Sequence, residues 1–406
     1  MVTENVSPAA PGTEPAVRYY WVILGTSFIL CMAAMGFGRY AFPMLLPSMQ
    51  DSLGVTYAPM GVLSAVNLIG YLTFSLGSGM LATRYGTKLI ATASMILVGL
   101  SMIGLGLSQT YWADFGLLLL AGMGTAGVFT PIAGLGRAWT PRNMGGFTMG
   151  LLTMGVTAGS LLAAYMIPRL LAGNQQDGWR HAWIYMGIAS LAVTVLGALA
   201  LKEKPGSSRA TGASPLAWGV LFRNRTILGI CIAYFLFGFY QVYATFFVAY
   251  LRKGLNLPTE LVGNIWFYWA VLAFISMIFW GSISDRIGRK WSLAACLIPV
   301  VISTVIPIFF QDLPFLYASA MLYGASFAAP VAIILAAAAE SVPLPMAAAA
   351  VGLVTACFGV GQVLSPTIAG YLTDLTGSFY PGFAMSAMVI ALALLTFTLW
   401  PLKRAD

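Results

Sequence analysis

Arg39 stands inside an apolar run extending from Trp21 to Met49, and a charge in such a place limits what the chain can do. Even on the lenient insertion scale, an arginine at the centre of a membrane helix costs about 2.5 to 3.5 kcal/mol, so it is kept for a cavity or a partner. The residue 202 positions later, Gln241, is also polar and stands among Tyr234, Tyr240 and Tyr243. No acidic residue falls in the middle of an apolar run, because every Asp and Glu sits in a tail, a loop or a run end. A guanidinium without a buried carboxylate is an unpaired cation, shaped for two-point contact with a carboxylate or sulfonate. Tyr40, Gln241, Tyr243 and Asn67 then offer neutral hydrogen-bonding groups to the same ligand. A blander reading stands beside this one. Arg39 lies past the middle of its run and could extend its head group to the outer interface. Asn67, Asn264, Tyr268 and Gln362 each fit a bond between helices, and Trp266 and Trp269 fit interfacial anchors.

Other chemistries find no home. His181, the single histidine, falls at a run end, and Cys31, Cys231, Cys296 and Cys357 lie scattered in apolar runs without metal or redox spacing. An enzyme needs a nucleophile, an acid–base pair or a metal cluster, so none is expected here, and neither is a cofactor or a metal. A sensor would need a larger soluble domain than the short stretch between the sixth and seventh runs.

The elements that must position Arg39 follow from composition. Of 406 residues, 59% are hydrophobic and 8% charged, against a soluble norm of about 25% charged. Apolar runs long enough to cross a bilayer recur to Phe383–Leu402, and they predict an all-α membrane protein of twelve transmembrane helices. The polar segment 1–19 reads as a disordered cytoplasmic tail with no cleavable leader. Fifteen of the twenty Lys and Arg fall on the side of that tail, which by the positive-inside rule puts both termini in the cytoplasm of an inner-membrane protein. The charge of +8 therefore needs no nucleic-acid partner; the lipid bilayer and a small molecule are the expected partners of a monomer.

The chain also repeats itself. Gly79-Met-Leu-Ala-Thr-Arg84-Tyr-Gly86-Thr-Lys88 aligns with Gly281-Ser-Ile-Ser-Asp-Arg286-Ile-Gly288-Arg-Lys290 at an ungapped offset of 202. The same shift carries Gly36 onto Gly238, Gly61 onto Gly263, Gly122 onto Gly324, Thr153 onto Thr355 and Gly159 onto Gly361. Two six-helix halves, 20–202 and 226–402, follow, joined by a cytoplasmic loop over 203–225 and ending in a short tail, 403–406. Parallel repeats of this kind are related by a pseudo-twofold axis along the membrane normal, with the substrate site near midplane between them.

The two copies of this loop resemble the signature of the major facilitator superfamily, and GFGRYAFPMLLPSM, VYATFFVAYL, AVGLVTACFGVGQVLSP and GYLTDLTGSF resemble its YbfB/YjiJ-type branch. The resemblance implies the major facilitator fold and a cavity lined by helices 1 and 7. It also implies a conformational latch in which Asp285 faces the start of helix 5 near Arg142 and Asn143, with Arg84, Arg286 and Arg289 adding contacts. Thr83 replaces the usual acidic residue of the first copy, and helix 4 lacks the arginine of many proton-coupled members. Gly79 and Gly281 are expected to allow close helix approach, Gly86 and Gly288 to make tight turns, and Gly150, Gly155, Gly159, Gly352, Gly359 and Gly361 to pack the two halves together. The expected function is secondary transport of a small organic anion by alternating access, coupled to either a proton or a counter-anion. Export of hydrophobic or cationic compounds is the alternative.

Overall fold

The computed structural model describes residues 14–139, 145–173, 177–203, 223–327, 329–343 and 346–399. Arg142 and most of the expected inter-half loop lie outside the described residues, as do the side chains of Asp285 and Arg289. Among the described residues the fold is all-helical, and twelve helical spans are long and apolar enough to cross a membrane. Hydrocarbon offers no partner to a backbone amide, so each span must satisfy its own groups. Some hydroxyls inside the spans are satisfied the same way: Thr153 Oγ1 donates to the Met149 carbonyl at 2.7 Å, and Thr355, its counterpart at offset 202, donates to Val351 at 2.7 Å.

The first six spans are Tyr19–Leu53, Tyr57–Tyr85, Thr87–Leu107, Tyr111–Trp139, Gly145–Gly173 and Gly178–Ala200. The second six are Arg225–Gly254, Thr259–Ile287, Arg289–Phe309, Leu313–Glu340, Ala347–Thr376 and Tyr380–Leu399. The first and seventh are not single helices. The first runs as α-helix to Cys31, as π-helix over Met32–Phe37, turns at Arg39 and Tyr40, and resumes as α-helix over Phe42–Leu53. The seventh runs as α-helix over Arg225–Phe237, tightens to a 3-10 turn at Gly238–Tyr240, and resumes at Gln241. The irregularities thus fall at matching places in the repeat, in the span that a substrate site would use.

Backbone contact explains where they fall. A Cβ on Gly36 would lie 2.4 Å from the Gly159 Cα, and one on Gly238 would lie 2.8 Å from the Gly361 Cα. The first span therefore rests on the fifth as the seventh rests on the eleventh, backbone on backbone. This corrects part of the glycine reading: Gly155, Gly159 and Gly361 close contacts within a half rather than between halves, because they meet Phe28, Met32 and Phe235 of their own half. Gly150 and Gly352 meet nothing within 4 Å, and a Cβ on Gly79 would touch only Thr130 at 3.9 Å. Gly86 and Gly288 have φ of +93° and +81°, left-handed turns that suit glycine between the second and third, and eighth and ninth, spans.

The halves meet along the second and eleventh spans and along the fifth and eighth. Gly61 abuts the Pro366 carbonyl, and its counterpart Gly263 abuts Pro168. At the end of the molecule away from the chain termini, the distal end, the halves are tied directly. Lys253 Nζ lies 2.6 Å from Asp51 Oδ1, and the two Asp374 oxygens accept the Tyr57 and Ala58 amides at 2.8 and 2.7 Å.

Candidate functional site

A cavity opens at the level of the two interrupted spans, lined by Arg39, Tyr40, Phe42, Pro43, Ser64, Asn67, Leu68, Gln241, Ala244, Trp266 and Trp269. Eight of these form four pairs at offset 202: Arg39 with Gln241, Phe42 with Ala244, Ser64 with Trp266, and Asn67 with Trp269. The cavity is built symmetrically from matching positions of the first and seventh and of the second and eighth spans. Its chemistry is not symmetric, since the cation comes from one half and the indoles from the other.

Arg39 leaves the turn after the π-helix and reaches across the halves. Its Nη2 donates to Gln362 Oε1 at 3.4 Å, a long bond, and its Cζ lies 5.5 and 5.3 Å from the Tyr40 and Tyr71 ring centres. Its Nε is buried without a partner among the described residues. The ion pairs found among the described residues are Arg180 with Asp177 and Lys253 with Asp51, so Arg39 is held by an amide and two ring faces rather than by a carboxylate. Gln362, in the eleventh span, donates its amide protons to the Tyr240 hydroxyl at 3.0 Å and to Gln241 Oε1 at 3.3 Å. The guanidinium thus ends a polar chain that runs into the second half.

Asn67 is held by two bonds from its amide nitrogen, to the Gly38 and Leu118 carbonyls, both at 3.2 Å. The first of these secures the interrupted segment next to Arg39. Ser64 and Thr245 share a hydroxyl contact of 3.1 Å between the halves. Trp266 and Trp269 stack at 4.4 Å and are buried, with neither indole N–H partnered among the described residues. They are cavity walls, not interfacial anchors.

Of the sequence-derived site residues, Arg39, Tyr40, Asn67 and Gln241 come together on this cavity. Tyr243 does not: its ring is fully buried between Phe247 and Tyr323, each 4.3 Å away, and its hydroxyl meets Ser319 Oγ at 2.6 Å. The tyrosine that serves the polar chain is Tyr240. Trp266 and Trp269 are absent from the sequence-derived site, although the offset of 202 that links Arg39 to Gln241 also links Ser64 and Asn67 to them. Arg84 and Arg286 are exposed, Arg84 lying 5.2 Å from the Tyr85 ring. His181 is exposed beside Tyr185. Asp114, at the start of the fourth span, is fully buried near the distal end and does not line the cavity. No group of three or more His, Cys, Asp and Glu side chains that could hold a metal occurs among the described residues.

The cavity has a volume of about 20 Å³, room for a water molecule and far below the roughly 300 Å³ or more of a ligand pocket. An organic ligand can enter only if the cavity enlarges.

Comparison with known proteins places the whole chain. Residues 31–398 match a family model described as "Uncharacterised MFS-type transporter YbfB". A probable sulfoacetate transporter of Cupriavidus necator, SauU, is 22% identical, with 95% of each chain covered. Human monocarboxylate transporter 11 is 27% identical over 94% of this chain and 82% of its own. A multidrug resistance protein of Escherichia fergusonii, MdtG, is 29% identical over 66% of this chain and 67% of its own. Among solved structures, that of a mutant of the nucleoside transporter NupG superposes with a TM-score of 0.81 at 14% identity, covering 93% of this chain and 99% of that one, which shows a shared fold.

Proposed function

The chain belongs to the family of YbfB-type MFS transporters, and from that premise we propose that it is a secondary transporter of small organic anions, carboxylates or sulfonates, working by alternating access. The observation that carries this reading is the state of Arg39: a guanidinium in a cavity between the halves, met by Gln362 and by aromatic faces, with no carboxylate paired to it among the described residues. An anion entering the cavity would supply the missing charge and exchange a long amide contact for charge-assisted bonds. Tyr40, Asn67 and Gln241 are the neutral groups of the same site. Tyr243 is left out, since its hydroxyl is engaged with Ser319. Because Arg39 belongs to one half and Gln241, Gln362 and the two tryptophans to the other, a bound anion would touch both and favour the closed arrangement, as differential binding requires. Several relatives bear names of organic-anion carriers, which agrees with this reading.

The remaining parts of the reading rest on sequence. Both termini are assigned to the cytoplasmic side of the inner membrane by the basic-residue bias, which makes the distal end the outer face. Asp285 is assigned the latch against the start of the fifth span near Arg142, with Arg84, Arg286 and Arg289 beside it; a carboxylate is favoured at a helix start by the backbone dipole. Coupling is to a proton or a counter-anion.

The test is a thermal-shift screen of purified protein with small carboxylates and sulfonates beside neutral and cationic compounds, on wild type and Arg39→Ala. Stabilisation by an anion that is lost in Arg39→Ala, followed by uptake of that anion in liposomes, is the expected result. Stabilisation by hydrophobic cations that survives the substitution would replace this reading with drug export, which the aromatic walls of the cavity and the relative named for multidrug resistance would then explain.

A further inference from the structure

The side chains that line the cavity carry more unpaired hydrogen-bonding atoms than a bare anion can answer, and they are not all donors. Arg39 Nε and the indole nitrogens of Trp266 and Trp269 are donors without partners among the described residues, and both tryptophans are only 1% exposed. Asn67, 5% exposed, is of the opposite kind. Its nitrogen donates to two carbonyls, Gly38 and Leu118 at 3.2 Å each, which fixes the orientation of the amide because a reversed amide would set oxygen against oxygen. Its Oδ1 remains as a buried acceptor with no donor among the described residues. Buried polar groups without partners are rare in folded proteins, and each one lining a cavity is explained most simply by something that enters it.

A carboxylate or sulfonate can accept from the guanidinium and the indoles together, but in its ionised form it has no proton to give to Asn67 Oδ1. A second cationic donor on the ligand would bring like charge toward Arg39 in a cavity of small volume, whereas a hydroxyl donates without charge. We propose that the site recognises hydroxy-substituted organic oxyanions, the oxyanion held by Arg39, Trp266 and Trp269 and the hydroxyl donating to Asn67 Oδ1. This rests on the organic-anion reading and narrows it. The same geometry makes Asn67 the specificity-determining residue: a site built to accept a hydroxyl proton rejects the analogue that lacks it, because the acceptor is then left buried and unmet.

The experiment measures dissociation constants for matched probes on the purified full-length protein by titration calorimetry: glycolate with acetate, lactate with propionate, and 2-hydroxyethanesulfonate with ethanesulfonate. In wild type, the hydroxylated member of each pair is expected to bind at least about tenfold more tightly. Asn67→Leu should bring that ratio close to one. A double variant, Trp266→Phe with Trp269→Phe, keeps the stacked rings and removes the N–H donors; it should weaken both members together and leave the ratio standing. Equal binding within each wild-type pair, with both members lost in Arg39→Gln, would overturn the hydroxyl inference and leave the anion reading intact. Absence of any Arg39-dependent anion binding would sink both. A ratio that survives Asn67→Leu would overturn the role of Asn67, and if that variant fails to fold, the wild-type ratio still decides.

Discussion

At the scale of single residues, Arg39 is distinguished by what it lacks. A bond to Gln362 Oε1 at 3.4 Å and ring faces at 5.5 and 5.3 Å hold the guanidinium in place without neutralising it. Replacing the amide by a carboxylate tests this directly. Gln362→Glu would set an internal counter-ion at the same position, which any anionic ligand must then displace, whereas Gln362→Leu would cut the ties to Arg39, Tyr240 and Gln241 without adding a charge. The expected result is a loss of more than about tenfold in anion affinity, roughly 1.4 kcal/mol, in Gln362→Glu and a smaller loss in Gln362→Leu, both measured by calorimetry. Equal losses in the two variants would show that the amide, not the free charge, is what binding needs. Arg39 is legible in the sequence because charge inside an apolar run is rare on energetic grounds. The tyrosine that serves its polar chain is not. Tyr240, which closes the 3-10 turn at Gly238–Tyr240, serves the polar chain, whereas Tyr243, three residues on, meets Ser319. Which of two buried tyrosines three residues apart meets the polar chain leaves no mark in residue type or spacing.

At the scale of elements, the interrupted spans are held by glycine against backbone. A methyl on Gly159 would sit 2.2 Å from the Met32 carbonyl oxygen and 2.7 Å from the Gly36 Cα, and one on Gly361 would sit 2.1 Å from the Phe235 carbonyl oxygen. Those atoms are main chain and cannot swing aside. Gly159→Ala and Gly361→Ala should each destabilise by about 1 to 3 kcal/mol, the usual cost of overpacking. Gly150 has nothing within 4 Å, and Gly150→Ala should be neutral or stabilising by up to about 1 kcal/mol, since alanine is the better helix former. Apparent melting temperatures of the three variants in one detergent check the contrast; a fall in Gly150→Ala as large as in the other two would refute it. In the sequence all three glycines look alike. Composition says that small residues will be used where helices approach closely, but the helix rotation that selects which of them does so is set by packing around the whole bundle.

At the scale of the whole molecule, the offset of 202 makes two halves and decides how they meet at the distal end. Asp51 and Lys253 are themselves counterparts at that offset, so the pair they form spans the axis between the halves. It is exposed, 32% at the lysine and 63% at the aspartate, and pairs of that kind contribute about 0.2 to 1 kcal/mol at most. Asp374 is the stronger tie by this argument. It accepts two main-chain amides at the start of the second span, where a carboxylate also meets the positive end of the helix dipole, and losing such a cap costs about 0.5 to 2 kcal/mol. Removing either tie should favour separation of the halves at that end, and removing Asp374 should do so more. A reporter cysteine at Ala244, which lines the cavity, can be placed in a background without Cys31, Cys231, Cys296 and Cys357. Its labelling by a membrane-impermeant maleimide from the distal side is expected to quicken about fivefold in Asp374→Asn, the ratio that corresponds to about 1 kcal/mol, and by less in Lys253→Gln. Exchanging the charges, Asp51→Lys with Lys253→Asp, should return the rate to that of the parent, because the axis relates the two positions. A labelling rate unchanged in Asp374→Asn would mean that the apolar contact of the second and eleventh spans holds the distal end shut unaided, and the polar clamp would then have no part in alternating access.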